Sequence, residues 1–207
     1  CGTRSEQRII QSMTVFGHAD LDTRPPAKRR PVLSAWIQHC STCGYCHRTI
    51  SDAGEHAKQV VASPEYQRIL ARLEEDGLAA LFRCRSLIDE SQMEYAAAAW
   101  SSIHAAWAFD DAKAAEAAVA ERDRALALIS RAEAANQPIA RDPALATLIV
   151  VDLLRRTGRF GEAQTRLEQQ DESDADGEVL QLLDFESRLI QAKDGRRRKM
   201  LQAANSR

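Results

Sequence analysis

The stretch Cys40–His47 reads CSTCGYCH, so that half of its side chains carry soft or borderline metal donors. Cys40 and Cys43 are separated by two residues, and Gly44 follows the second cysteine. This spacing lets the backbone turn back until both sulfurs point at one tetrahedral ion, which is the arrangement of a zinc knuckle. We therefore predict zinc at Cys40 and Cys43. Unliganded thiols and a disulfide are the alternatives.

Two further cysteines extend the candidate metal site. Cys1 is followed by glycine, as the second cysteine of a knuckle would be, so we expect the chain to begin inside a motif and Cys1 to be a ligand. Cys46 follows Cys43 at the same spacing and offers another thiolate. The predicted zinc ligands are Cys1, Cys40, Cys43 and Cys46. We expect the ion to be structural and predict no catalytic residue.

The same cysteines leave two other chemistries open. A C-x-x-C-x-x-C run resembles an iron–sulfur ligand set, which would need a fourth thiolate from Cys1 or Cys84. A redox or metal-dependent enzyme using Cys43 and Cys46 is the other possibility, but no βαβ pattern surrounds that pair. Cys84 lies in an apolar helical segment, so we interpret it as a small buried hydrophobe.

Composition and charge are those of an ordinary globular protein. The chain has 207 residues, 44% of them hydrophobic and 28% charged, and its net charge of -2 gives no global argument for nucleic acid. Five cysteines is an odd number, which favours reduced thiols over an extracellular disulfide framework. No apolar run reaches the roughly eighteen residues of a membrane helix. We therefore expect a soluble, cytoplasmic protein with no membrane partner.

Residues 1–50 are rich in turn residues and poor in helix signals. The plausible strands are Ile9–Ile10, Met13–Phe16 and Val32–Ile37. A segment this short, with few large apolar side chains, needs a metal ion or docking onto the rest of the chain in order to fold. We predict that residues 1–50 form a zinc-ribbon-like β module.

Helix signals dominate the rest of the chain. Ser63-Pro64 and Asp142-Pro143 each place a capping side chain before a proline at the first helical position. Apolar residues then recur at helical spacing, and Gly158 follows the last turn of one predicted helix. A further helix is expected to begin at Asp110-Asp111. We predict a helical domain over residues 51–195, followed by a basic, solvated tail over residues 196–207.

One helical pair matches a known repeat pattern. Leu154, Gly158, Phe160 and Ala163 correspond to the turn and packing positions of a tetratricopeptide repeat. The predicted fold class is therefore mainly α, with a small zinc-ribbon-like β module followed by an all-helical, tetratricopeptide-like domain.

Three segments together resemble a group of bacterial proteins of unknown function. They are Phe16–Pro26 (FGHADLDTRPP), Trp36–Tyr45 (WIQHCSTCGY) and Ala105–Asp111 (AAWAFDD). The resemblance implies a zinc ribbon joined to a helical, tetratricopeptide-like tail. It also implies four cysteine ligands in two knuckles, which carry over here to Cys1, Cys40 and Cys43 only.

Several other groups have both a functional and a structural interpretation. His104, between two tryptophans on one helix face, is expected to be a hydrogen-bonded core residue rather than part of a ligand site. Asp20, Asp22 and Arg24 are expected to pair with one another and to cap loop carbonyls. Lys28–Arg30 could contact phosphate, although short basic clusters are usually solvated.

The sequence as a whole favours a protein without enzymatic activity. We predict a zinc-binding protein-interaction module in which zinc is structural and helical hairpins present a groove to a protein or peptide partner. A nucleic-acid-binding zinc ribbon is the first alternative, and a thiol- or metal-dependent enzyme is the second.

Overall fold

The fold is described from a computed structural model of the chain. The structure describes residues 1–7, 9–10, 12, 17–54, 56–170 and 176–204. The predicted fold class is confirmed at the coarse level, because these residues are mainly helical and contain one small two-stranded sheet near the N-terminus.

The chain forms two compact units. Unit 1 contains Cys1–Thr14 and Arg30–Gln137, and unit 2 contains Val15–Arg29 and Pro138–Arg207. This division differs from the boundaries expected from the sequence. The first fifty residues are shared between the two units, and the expected C-terminal tail is part of unit 2.

The sheet of unit 1 flanks the predicted knuckle. Strand β1 is Gln38–His39, strand β2 is Cys46–His47, and the two are antiparallel with His39 opposite Cys46. Because each strand has only two residues, the sheet itself buries little apolar surface and depends on what packs against it.

The strand predicted over Val32–Ile37 is wrong. A 3-10 helix, Ala27–Ala35, covers most of that segment, and Pro31 within it lacks the backbone N–H that a strand would donate. Ile9–Ile10 also lies in no strand. The strand predicted over Met13–Phe16 falls outside the described residues.

Helices are the main elements of both units. Those of unit 1 are α1 (Ala57–Val61), α2 (Pro64–Leu70), α3 (Leu73–Asp76), α4 (Leu78–Ser91), α5 (Tyr95–Asp111) and α6 (Ala115–Ala134). Those of unit 2 are α7 (Pro143–Arg156), α8 (Phe160–Glu168), α9 (Gly177–Gln191) and α10 (Met200–Ala204). Within the part of the chain that the structure describes, none of these helices combines the length and the apolar character needed to cross a bilayer.

Two predicted helix starts are confirmed. The Ser63 hydroxyl accepts a hydrogen bond of 3.3 Å from the Tyr66 amide at the start of α2. The Asp142 carboxylate accepts one of 2.8 Å from the Ala144 amide at the start of α7. Both side chains satisfy amides that have no partner within the first turn of a helix.

A three-residue turn recurs between successive helices. Its central residue has positive φ in each case: 59° at Met93, 61° at Lys113 and 78° at Gly158. The next amide then bonds at 2.9 Å to the carbonyl five residues earlier, which is the Schellman geometry. The helix predicted to begin at Asp110-Asp111 therefore begins later, at Ala115, because α5 continues through Asp111 and the left-handed Lys113 lies in the turn that follows.

The aromatic core of unit 1 surrounds His104. Its ring centroid lies 4.9 Å from that of Trp107, 5.1 Å from Phe82 and 5.2 Å from Trp36. Burial lowers the pKa of His104 to about 3, so the ring is neutral at neutral pH. The predicted core position is confirmed. The predicted hydrogen bond is not found at Nδ1, which has no partner among the described residues.

A loop from the first thirty residues belongs to the core of unit 2. Leu21 is fully buried and joins a cluster that includes Leu148 of α7 and Leu182 of α9. The Leu21 amide donates to the Arg198 carbonyl at 3.0 Å. The loop and the C-terminal segment that the sequence assigned to a solvated tail therefore hold each other in place.

The acidic residues of this loop are buried and have structural partners. Asp22 accepts a 3.2 Å hydrogen bond from the Arg24 amide and forms a 3.1 Å ion pair with Arg156 of α7. Asp20 lies 3.7 Å from the Nε of Arg197. These contacts support a structural role for Asp20 and Asp22, with Arg156 and Arg197 as partners that the sequence did not indicate.

A buried arginine organises the centre of unit 2. The Arg155 side chain is fully buried, and it pairs with Glu186 of α9 at 2.6 Å and with Asp152 at 2.5 Å. It also donates to the carbonyls of Asp194 and Arg196, at 2.5 and 2.8 Å. Helices α7 and α9 and the C-terminal segment are thus joined by one guanidinium.

Candidate metal centre

Three of the predicted ligands come together in unit 1. The sulfur atoms of Cys1, Cys40 and Cys43 all lie within 4.8 Å of one another, and those of Cys1 and Cys40 are 3.6 Å apart. None of the five cysteines forms a disulfide. Clustered thiols are donors for soft or borderline metal ions, so these three residues could hold one.

The loop between β1 and β2 sets the positions of two of these sulfurs. The Gly44 amide donates to the Cys40 carbonyl at 2.8 Å, and the Cys40 amide donates to the Tyr45 carbonyl at 2.9 Å. Gly44 has a φ of 76°, and a Cβ at this position would lie 2.3 Å from a methyl carbon of Leu70. Glycine is therefore favoured by the backbone conformation, and a side chain at this position would also have to displace the Leu70 methyl group.

The same loop favours the thiolate form of Cys40. The backbone amides of Cys43 and Thr42 donate hydrogen bonds to its sulfur, and these lower the pKa of Cys40 although burial acts in the opposite direction. Because the thiolate is the form that binds metals, the loop conformation prepares Cys40 for that role.

Tyr66 of α2 attaches the knuckle to the helices. Its hydroxyl donates to the Gly44 carbonyl at 2.8 Å and accepts from the Cys46 amide at 3.0 Å. The side chain is fully buried, and burial raises the pKa of Tyr66. The hydroxyl thus stays protonated and satisfies two backbone groups that the short sheet leaves unpaired.

The segment that carries Cys1 lies against the knuckle. The Gln7 amide side chain donates to the His39 carbonyl at 3.3 Å, and the Cys1 sulfur lies 3.5 Å from the Thr3 hydroxyl. Residues 1–6 are exposed. The sulfur of Cys1 therefore reaches Cys40 from a segment with little burial of its own.

Cys46, the fourth predicted ligand, is not part of the group of three. It is fully buried in β2, and its thiol donates to the Gly44 carbonyl at 3.3 Å. Its sulfur also contacts the thiol of Cys84 of α4, whose pKa is raised by the hydrogen bond to Cys46 and by burial. The prediction that Cys84 is a buried hydrophobe is confirmed, since it has no exposed surface.

The three clustered cysteines line a cleft of about 1120 Å³, here called the cysteine cleft. Its other walls come from the N-terminal segment, the residues after β2, and helices α1 and α2. The lining residues are Cys1–Ser5, Cys40, Cys43, Tyr45, Ile50, Ser51, Ala53, Gly54, Ala57, Lys58, Val61, Ala62 and Gln67.

Sequence reasoning missed the cleft and the residues that support the knuckle. Nothing in the sequence distinguishes Ala57 and Val61 from other residues of a short helix. The pattern indicates only that Tyr66 and Leu70 are apolar positions of α2. The roles of Tyr66 and Leu70 follow from contacts with Gly44, which is more than twenty residues earlier in the chain. No local pattern signals such contacts.

The basic cluster Lys28–Arg30 has an acidic neighbour. Arg30 forms a 3.2 Å ion pair with Asp111, the last residue of α5. This pairing gives Arg30 a structural role and reduces the positive charge available to a phosphate backbone.

Comparison with known proteins does not assign the chain to a family. No family model, curated protein or solved structure matches the chain.

Proposed function

We propose that this chain is a non-enzymatic, zinc-binding protein-interaction module. Zinc is its structural ion, held by Cys1, Cys40 and Cys43, and its helical hairpins present a groove to a protein or peptide. The observation that carries the proposal is the cluster of three sulfurs within 4.8 Å of one another, two of them on a C-x-x-C-G loop.

The donor chemistry supports zinc as the ion. Thiolates at this spacing suit a tetrahedral zinc site, and the glycine after the second cysteine is typical of knuckles in zinc ribbons. The ion would tie the exposed segment of Cys1 to the loop between β1 and β2. Two strands of two residues each give little stability of their own, so metal binding would supply it.

The helical part supports a binding role. The turns centred on Met93 and Lys113 in unit 1, and the turn centred on Gly158 in unit 2, share one geometry that suits tetratricopeptide-like helical hairpins within each unit. A cleft of about 600 Å³, here called the helical cleft, is our candidate groove. Its lining residues are His56, Gln59, Val60, Ser63, Glu65, Leu87, Glu90 and Ser91.

The surroundings of the sulfurs favour binding over catalysis. Apart from the cysteines, the residues that line the cysteine cleft are small, apolar, hydroxyl-bearing or basic, with one amide side chain from Gln67. Hydrolytic zinc enzymes place a carboxylate or an imidazole beside the ion as the proton acceptor, and the described lining offers neither.

Metal analysis of the full chain tests the zinc half of this proposal. Protein purified under reducing conditions should contain about one zinc per chain. Cys40→Ser and Cys43→Ser should lose the metal and melt several degrees lower, because metal binding contributes to folding. Cys84→Ala is the matched control, which should lose packing but keep zinc. Zinc-free wild type, or full zinc content in Cys43→Ser, would show that the proposal is wrong.

A surface variant tests the groove. Leu87 is half-buried at the helical cleft, and Leu87→Arg places a charge in its wall. Immobilised Leu87→Arg protein should no longer retain the proteins that immobilised wild type retains from a native extract. Its zinc content should equal that of wild type. Leu201→Arg, on exposed surface in α10, is the control and should retain them. Equal retention by wild type and Leu87→Arg would rule out this cleft as the groove.

A further inference from the structure

A second pair of thiols in unit 1 has no role in the proposed zinc site. Cys46 of β2 and Cys84 of α4 are fully buried, and their sulfurs are in contact. Neither residue is in a disulfide. They are more than thirty residues apart in the chain, so tertiary structure, and not a local motif, brings the two sulfurs together.

Contacts on both sides of Cys46 fix its position. Its amide donates to the Tyr66 hydroxyl at 3.0 Å. The next residue, His47, has its Nε2 atom 3.9 Å from a carboxylate oxygen of Asp89, which lies on the same helix as Cys84. Strand β2 is therefore held against α4. Two reactive groups that a fold holds in contact react with each other far more readily than the same groups on a flexible chain.

The two thiols differ in acidity. The hydrogen bond with Cys84 lowers the pKa of Cys46, and burial opposes that effect. The same hydrogen bond, together with burial, raises the pKa of Cys84. Cys46 therefore ionises first and is the better nucleophile of the two, while Cys84 lies where it can attack any group that becomes attached to the Cys46 sulfur.

We infer that Cys46 and Cys84 form a redox site that exchanges with small-molecule disulfides of the glutathione type and closes into a disulfide between β2 and α4. The Cys46 thiolate attacks one sulfur of glutathione disulfide, whose S–S bond breaks and releases one reduced glutathione. The Cys84 sulfur then attacks the Cys46 sulfur, and the second glutathione leaves. The protein thiols give up two electrons and two protons, and glutathione disulfide takes up both.

The inference is independent of zinc. Its consequence is that the cysteine loop has a second attachment to the helices, because a bond from Cys46 to Cys84 holds β2 on α4 whatever occupies the cluster of Cys1, Cys40 and Cys43. Under reducing conditions the attachment depends on hydrogen bonds and packing. Under oxidising conditions it becomes covalent.

Disulfide mapping at equilibrium tests the inference. The full chain, purified under reducing conditions, is incubated with reduced and oxidised glutathione in urea below the unfolding midpoint, where the native chain predominates but buried thiols open transiently. Acid quenching, alkylation and mass spectrometry of peptides then give the fraction of chains with a Cys46–Cys84 bond. The control is the same mixture in fully denaturing urea, where cysteines close in sequence pair most readily.

The native chain should contain at least about tenfold more Cys46–Cys84 bond than the unfolded chain, because only the fold holds these sulfurs in contact. An equal fraction in the two states would overturn the inference. A native chain in which Cys46 is bonded mainly to Cys43 would overturn it as well. Metal content is measured separately, so neither result bears on the zinc proposal.

Thermal unfolding followed by circular dichroism tests whether the native fold accommodates the bond. The bond restricts the unfolded chain, so the oxidised protein should melt about 5–15 °C above the reduced protein. Cys84→Ala should show no such rise after the same treatment. Cys43→Ser, which removes a thiol three residues before Cys46, is the matched control and should show the rise. An oxidised wild type that melts below the reduced protein would contradict the site.

Discussion

At the scale of single residues, Gly44 has the most demanding position in the candidate metal centre. It turns the chain after Cys43 with a φ of 76°, and its missing side chain admits a methyl group of Leu70. Its carbonyl also accepts the Tyr66 hydroxyl. One residue therefore links the conformation of the cysteine loop to its packing on α2.

Gly44→Ala should destabilise unit 1. The left-handed conformation and the contact with Leu70 should together lower the free energy of unfolding by about 1–3 kcal/mol. Tryptophan fluorescence during urea unfolding is the measurement, because Trp36, Trp100 and Trp107 all lie in unit 1.

Gly161→Ala is the control for this prediction. Gly161 lies in α8, where an added Cβ would meet no atom within 4 Å, so the substitution should be neutral or stabilising. Because Gly161 belongs to unit 2, where the sequence has no tryptophan, urea unfolding of this variant is followed by far-ultraviolet circular dichroism. A Gly44→Ala chain as stable as wild type would show that the loop can relax, and that glycine is not required there.

At the scale of helices, the repeated turn places unusual residues in the left-handed region. Only the turn at Gly158 has the glycine that this conformation favours; Met93 and Lys113 adopt it with a side chain. The packing of α4, α5 and α6 holds Met93 and Lys113 in the left-handed conformation, which residues with a side chain disfavour. The hairpin geometry is therefore a property of the helix contacts more than of the turn sequence.

Lys113→Gly should stabilise unit 1 for this reason. Relief of the left-handed strain should raise the free energy of unfolding by about 0.5–1 kcal/mol. The neighbouring Ala112 has a right-handed conformation with φ of -76°, so Ala112→Gly should lower stability. Both are measured by tryptophan fluorescence in urea. A loss of stability in Lys113→Gly comparable to that in Ala112→Gly would contradict the strain argument.

At the scale of the whole molecule, the two units differ in what fills their centres. Unit 1 has aromatic rings around a neutral histidine, whereas unit 2 has Arg155 between two carboxylates. Burial, and then the neighbouring Asp152, raise the pKa of Glu186 well above its usual range. Folding of unit 2 therefore takes up a proton at pH values between the unfolded-state and the folded-state pKa of Glu186.

This proton uptake predicts how stability depends on pH. Below about pH 4.5 Glu186 is protonated in both states. As pH rises through and beyond that value, the unfolded state loses the proton first, so the free energy of unfolding falls by up to about 1.4 kcal/mol per pH unit until the folded-state pKa is passed. Glu186→Gln should remove this decline. Urea unfolding of both proteins at pH 5 and pH 8, followed by far-ultraviolet circular dichroism, measures it.

Glu162 provides the control for the pH prediction. It is exposed on α8, and the hydrogen bond from Arg159 lowers its pKa, so any effect of Glu162→Gln has the opposite sign. A pH dependence in Glu186→Gln that equals that of wild type would show that another group takes up the proton.

The sequence alone determined the features that depend on neighbours in the chain. The caps at Ser63 and Asp142 and the turn at Gly44 follow from the local conformations these residues favour, and each was predicted correctly. The mainly helical class follows in the same way from apolar spacing. The C-x-x-C spacing also predicted that Cys40 and Cys43 lie together. With only two residues between them, a turn of the backbone brings the two sulfurs close to each other.

Tertiary structure alone decided which distant segments meet. Cys46 has the same spacing from Cys43 as Cys43 has from Cys40, yet strand β2 buries it beside Cys84. Leu21 looked like part of the N-terminal module, but it lies in the core of unit 2. Local patterns record the preferences of a few consecutive residues, whereas the packing of a core depends on side chains from the whole chain at once.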